Sequence, residues 1–223
     1  MRNLLWVILL GLTVRSAAAQ DPAVVSPSNY KVEIENEWVR VLRLKQGPHE
    51  KTPFYESPAS VVVYLSDSDQ QFTGPDGRTQ EARHKIGEAS YFNASKHSQV
   101  NLSSEPLEEV IVELKSGAPK GSGLPPAALD PVKVEPEYAT SLFENDRVRV
   151  LHTVLAPHVK NPLHAHPHNV VVFAIAPPTI TLADGKTVDN PRKAGVVRWV
   201  EATQHSTENT SDKPTLEIQV ELK

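Results

Sequence analysis

Apolar and polar positions alternate in short runs along this chain, and no segment sustains the 3.6-residue period of a helix. Val32/Ile34 and Val39/Val41 alternate with charged neighbours, the pattern of half-buried strands. Ala59 to Leu65 and Val170 to Ala176 are apolar runs rich in β-branched residues, which predicts strands buried on both faces. Asp76-Gly77 and Asp184-Gly185 are hairpin-turn dipeptides between strand candidates. Strand-like segments recurring every 8–12 residues or so predict small antiparallel sandwiches or jelly rolls, and hence an all-β fold.

The pattern occurs twice. Glu35-Asn36-Glu37-Trp38-Val39-Arg40-Val41-Leu42 matches Glu144-Asn145-Asp146-Arg147-Val148-Arg149-Val150-Leu151. In the same register Pro48-His49 falls on Pro157-His158, and Lys51 and Pro53 on Lys160 and Pro162. After a one-residue gap Gly87, His97 and Asn101 fall on Gly195, His205 and Asn209, and both copies end in Val-Glu-Leu-Lys. Residues 29–115 and 137–223 are therefore read as two homologous domains. Between them residues 116–136 hold Pro119, Pro125, Pro126, Pro131 and Pro136. This composition excludes a helix or a central strand and predicts a linker packed along the surface.

Residues 1–19 stand apart. Arg2 precedes an apolar stretch from Leu4 to Val14, and Ala17, Ala18 and Ala19 supply small residues before Gln20. This is the pattern of a secretory signal peptide, too short in its apolar core to span a bilayer. Its removal predicts a periplasmic or secreted protein with no membrane attachment. A net charge of -4, with charges mixed along the chain, offers no basic patch for nucleic acid. Cysteine is absent and the one methionine is Met1, so disulfides and thiolate catalysis are excluded. No G-x-S-x-G motif or phosphate-cradling glycine loop is present.

The sharpest chemical feature is Leu163-His164-Ala165-His166-Pro167-His168. Residues two apart on a strand share a face, so His164 and His166 aim into one cavity. His205 follows the strand-like stretch Val196 to Val200, with Asn209 four residues beyond it. Three imidazoles meeting at one point, with other positions open, make a site for a first-row transition metal.

These residues resemble the two motifs of the cupin superfamily, G-x5-H-x-H-x3,4-E-x6-G and G-x5-P-x-G-x2-H-x3-N. His164-x-His166 matches the first, while Gly195 and His205-x3-Asn209 match the second. The resemblance implies two tandem jelly-roll β-barrels, a bicupin, with His164, His166 and His205 as metal ligands. It also departs from the family pattern. Val170 and Val171 stand where the motif has its Glu, His158 near its leading Gly, and Glu201 at the Pro of the second motif. What remains is a neutral three-histidine site, similar to that of some cupin dioxygenases. Iron(II) is the favoured ion, with zinc, manganese, nickel or copper as alternatives. A small chelating anion is the expected substrate, and no general base is identifiable.

In the first repeat Tyr55 and Ser57 replace His164 and His166, which predicts a structural, metal-free barrel with His97 in its core or at its rim. His168 is expected to be exposed, and His49 and His158 to serve turns. Trp199, Tyr91 and Phe92 are expected in the core. Asn93, Asn101 and Asn209 begin glycosylation sequons. The competing reading is a non-catalytic cupin that binds a sugar or other small ligand. Two barrels in one chain are compatible with a monomer or a homodimer.

Overall fold

The computed structural model describes residues 20–117, 123–183, 186–190 and 193–223; the expected signal peptide and Asp184-Gly185 lie outside them. The first repeat runs α1 (Pro22–Val25), β1 (Tyr30–Glu35), β2 (Val39–Gln46), β3 (Tyr55–Ser57), β4 (Ser60–Tyr64), β5 (Ser68–Thr73), β6 (Thr79–His84), β7 (Ala89–Phe92), β8 (Ser95–Asn101) and β9 (Leu107–Leu114). The second repeats this order as α2 (Pro131–Val134), β10 (Ala139–Glu144), β11 (Val148–Thr153), β12 (His164–His166), β13 (Asn169–Ile175), β14 (Thr179–Ala183), β15 (Lys186–Asn190), β16 (Val197–Val200), β17 (Thr203–Asn209) and β18 (Leu216–Leu222). Each repeat folds into a five-stranded and a four-stranded antiparallel sheet. Their orders are β1-β2-β9-β4-β7 with β3-β8-β5-β6, and β10-β11-β18-β13-β16 with β12-β17-β14-β15. This is the all-β, paired jelly-roll architecture expected.

The repeated residues are those that shape the turns. Asn36 Oδ1 accepts hydrogen bonds from Trp38 N and Val39 N at 2.8 and 2.9 Å, closing the β1–β2 hairpin. Asn145 does the same for Arg147 and Val148. The final lysines then clamp these turns. Lys115 Nζ donates to Asn36 O at 2.7 Å, and Lys223 Nζ to Asn145 O at 2.7 Å. Asp76-Gly77 forms the β5–β6 turn, with Gly77 at φ 79° and Gly74 N donating to Arg78 O at 2.9 Å. His49 and His158 both take left-handed backbone, at φ 56° and 58°, as turn residues.

The stretch 116–136, read as excluding a helix, holds a single helical turn at its C-terminal end. Pro131 opens α2, where its missing N–H costs nothing, and Asp130 caps the helix by accepting from Val132 N at 3.2 Å. Asp21 and Pro22 start α1 in the same way.

The alternating strand at Val39 and Val41 is not half-buried as expected but covered on both faces, and these valines face away from their own barrel. Together with Val61, Val63, Val110, Val112, Val148, Val150, Val170, Val172, Ile218 and Val220 they form one dry core between the two five-stranded sheets. Burying each such side chain contributes roughly 1.5–3 kcal/mol relative to exposure. With the valines turned outward onto the other barrel, Arg40 and Arg149 turn inward, and β2 and β11 are buried on both faces. Arg43, on the outer face of β2, donates to Gly195 O of the second repeat.

Candidate metal centre

β12 and β17 pair antiparallel with His164 directly opposite His205, and His166 lies two residues along β12 on the same face. One candidate ligand atom from each of His164, His166 and His205 lies within 4.8 Å of the others. An ion centred in such a triangle sits within about 2.8 Å of each nitrogen, so small side-chain rotations reach the roughly 2.0–2.1 Å of a metal–imidazole bond. His164 and His166 are buried, at 2% and 4% exposure, and His205 is half-buried.

Hydrogen bonding sets the tautomers. His166 Nδ1 donates to Glu221 Oε1 at 2.7 Å, leaving Nε2 as a lone pair that is buried with no hydrogen-bond partner. His164 Nδ1 donates to Pro162 O at 2.9 Å, which likewise leaves its Nε2 as the acceptor nitrogen. Burial, with the neighbouring His166, lowers the His164 imidazolium to about 4, so this ring is neutral and ready to coordinate at physiological pH. An orphaned lone pair inside a cluster of three imidazoles fits a divalent cation.

Behind His166 stands a relay that sequence reasoning missed. Glu221 is fully buried and also accepts from Arg149 Nε at 2.6 Å. Arg149 Nη1 in turn donates to Asp130 Oδ1 at 2.9 Å. Both Arg149 and Glu221 belong to the repeated strings Val-Arg-Val-Leu and Val-Glu-Leu-Lys, so the signal was in the sequence without a role attached. The first repeat keeps the same triad: Arg40 contacts Asp21 at 2.9 Å and Glu113 at 3.5 Å. Here no imidazole receives it, because Ser57 stands where His166 stands in the second repeat. Burial pushes the Glu113 carboxyl up to about 7, with Arg40 opposing. Glu135, just past α2, was missed as well. Its Oε1 lies 3.4 Å from His164 Nδ1, and burial pushes its carboxyl up to about 8.

Other expectations divide. Val170 faces the inter-barrel core, and Val171, alternating with it, faces inward. His168 is not exposed as expected: Trp199 lies over its ring at 6.0 Å, Glu201 pairs with it at 2.9 Å, and its side chain is 17% exposed. Trp199 and Tyr91 pack on the inter-barrel core, and Phe92 on the core of the first barrel. Asn101 and Asn209 are fully buried, and Asn209 Nδ2 ties Leu155 O and Lys213 O together, so neither sequon offers an accessible acceptor. In the first barrel Tyr55 sits opposite His97, in the seat His164 takes in the second, and its hydroxyl meets His97 Nε2 at 2.9 Å.

No family model and no curated protein sequence matches this chain. Solved structures do. AerE from Microcystis aeruginosa aligns over 87% of this chain and 97% of its own, with TM-score 0.61 and 12% identity. A tryptophan variant of oxalate decarboxylase from Bacillus subtilis aligns over 87% of this chain and 75% of its own, with TM-score 0.58 and 12% identity. A study of the Mn(II) centres of that decarboxylase supplies a third, with the same coverage and identity and TM-score 0.54. With its duplicated jelly rolls and its histidine ring at the motif positions, the chain has the cupin fold, two cupin barrels in tandem.

Proposed function

We propose that the C-terminal barrel holds a divalent transition metal through His164, His166 and His205 and acts on a small chelating substrate, in the manner of a cupin dioxygenase. The observation that carries this reading is the convergence of three imidazoles, one with a buried lone pair that meets no hydrogen-bond donor. When bound, such an ion supplies Lewis acidity and, as iron(II), redox chemistry toward the substrate. Iron(II) is the preferred ion, and manganese is next because the decarboxylase with the same fold has Mn(II) centres.

The protein's own groups prepare the site. Glu221 holds the His166 proton on Nδ1 and keeps Nε2 directed inward, while Arg149 and Asp130 hold Glu221 in place. Valine at positions 170 and 171 leaves the site without the carboxylate of the family motif. A site without that carboxylate would leave a bound ion's charge to be met by the substrate, which favours an enolate, a carboxylate or another bidentate anion. We further propose export, from the pattern of residues 1–19, and a monomeric protein, because the two five-stranded sheets already cover one another within the chain. No helix among the described residues is long and apolar enough to cross a membrane.

The test is elemental analysis of the untagged mature protein, alongside His164→Ala and His205→Ala. Near-stoichiometric metal lost in both variants, with oxygen uptake on a diketone, phenolic or thiol substrate, is the expected result. Wild-type protein that takes up no divalent metal, or variants that keep it, would overturn the proposal and leave a ligand-binding cupin.

A further inference from the structure

The first barrel has lost its metal ligands but not its interior. It encloses a cavity of about 320 Å³, at the lower end of the roughly 300–1,000 Å³ common for small-molecule sites. Aromatic rings form much of the wall: Tyr55, Tyr64, Phe72 and Phe92, with Phe72 lying 6.2 Å from Phe92 and 5.6 Å from His97. Val62 and Ile111 complete an apolar lining.

Beside Ser57, Ser60, Gln80 and Asn93, its wall carries polar groups of two further kinds. One set is spent on itself. Ser95 Oγ meets His97 Nδ1 at 3.0 Å, His97 Nε2 meets the Tyr55 hydroxyl at 2.9 Å, and Tyr55 donates to Gln99 Oε1 at 2.8 Å. Since the Tyr55 proton goes to Gln99, its oxygen accepts from Nε2–H, and Nδ1 accepts from Ser95. This chain of bonds specifies a neutral His97, and burial agrees by lowering its imidazolium to about 4. The second kind is Glu109, which lines the cavity, is 3% exposed and has its Oε1 buried without a partner. Burial pushes its carboxyl up to about 8, with the Gln70 amide opposing, so it carries a proton at neutral pH. Lys96 stands at the mouth, largely exposed and 3.6 Å from Glu56.

We infer that the N-terminal barrel is a second, metal-free binding site that takes a neutral planar aromatic molecule, its carbonyl oxygen accepting a hydrogen bond from the buried carboxyl of Glu109. Apolar walls reward burial of a flat ring, and an unmet buried polar group is costly until a ligand satisfies it. An anionic ring of the same shape would place its charge in a dry cavity against a carboxyl and receive no cation inside. This site is independent of the metal centre, which lies in the other barrel.

Benzamide and benzoate are isosteric probes of this selectivity. Each is titrated into the full mature chain at pH 7 and followed by ligand-observed NMR, with calorimetry for affinity. Benzamide is expected to saturate at one site per chain and to bind at least about tenfold more tightly than benzoate, a difference of roughly 1.4 kcal/mol. Glu109→Leu should weaken benzamide about tenfold. Glu109→Gln, whose amide still donates, should restore most of the binding and shows that loss is not misfolding. Ala82→Trp, which places a large ring in the cavity lining, should abolish binding, and His164→Ala should leave it unchanged. Absence of saturable benzamide binding, equal affinity for benzoate, or loss in His164→Ala would overturn the inference.

Discussion

The two copies of the Arg-Asp-Glu triad differ in burial, and this difference sets up a controlled experiment: Arg149→Met against Arg40→Met. Arg149 is 3% exposed and lies between Glu221, which is 0% exposed, and Asp130, at 2.6 and 2.9 Å. Methionine matches its stem but leaves two buried carboxylates facing each other with no cation. Breaking a buried pair in this way costs about 3–5 kcal/mol. Arg40 is 17% exposed, its Asp21 partner 32%, and its bond to Glu113 stretches to 3.5 Å. Water can reach Asp21, and Glu113 already sits near neutrality at about 7. The loss there should be about 1 kcal/mol, in the range of partly exposed pairs. Urea unfolding of both variants, compared by midpoint at constant slope, reads the difference directly. At roughly 2–4 °C per kcal/mol for a chain of this size, Arg149→Met should lower the melting temperature by about 6–20 °C. Arg149→Met should also weaken metal retention, whereas Arg40→Met should not. Equal losses in the two variants, or a larger one for Arg40→Met, would refute the assignment of the relay to the second barrel.

Glu221→Gln, checked for native circular dichroism, should weaken metal retention by about 10–100-fold in a chelator competition, because the proton on His166 Nδ1 loses its anionic acceptor. Glu109 predicts a pH dependence. Its folded carboxyl is raised to about 8 from an ordinary 4.5, so the stability it contributes is complete below about pH 4.5 and lost as pH rises toward 8. The slope approaches 1.4 kcal/mol per pH unit, and the difference between wild-type and Glu109→Gln unfolding curves across pH 5–8 isolates it. Gly87→Ala should destabilise by about 1–3 kcal/mol, measured by denaturant unfolding. Gly87 has φ 85°, and a Cβ there would lie 2.7 Å from Leu216 Cδ2 of the other repeat. Removing metal with a chelator should lower the melting temperature of the wild type and leave that of His166→Ala unchanged, as thermal denaturation would show.

Much of this protein was legible in one dimension. Duplication is a comparison of the chain with itself, and period-two alternation and Asp-Gly turns are local properties of backbone geometry, so the two all-β repeats could be read before any contact was known. His-x-His likewise needs only the strand pleat to bring His164 and His166 to one face. The remaining features depend on which strands pair and which surfaces are covered. His205 joins His164 and His166 because β17 lies against β12 in a register that puts it opposite His164. Alternation in Val-Arg-Val-Leu says that valine and arginine point in opposite directions, but not which direction is dry. Here both are, because a second barrel covers the outer face; arginine therefore turns into its own barrel, where it meets a glutamate 72 residues away. His168 lies under Trp199 for the same kind of reason: a neighbouring strand covers it. Local patterns specify direction relative to the backbone, and only assembly of the sheets decides where water remains.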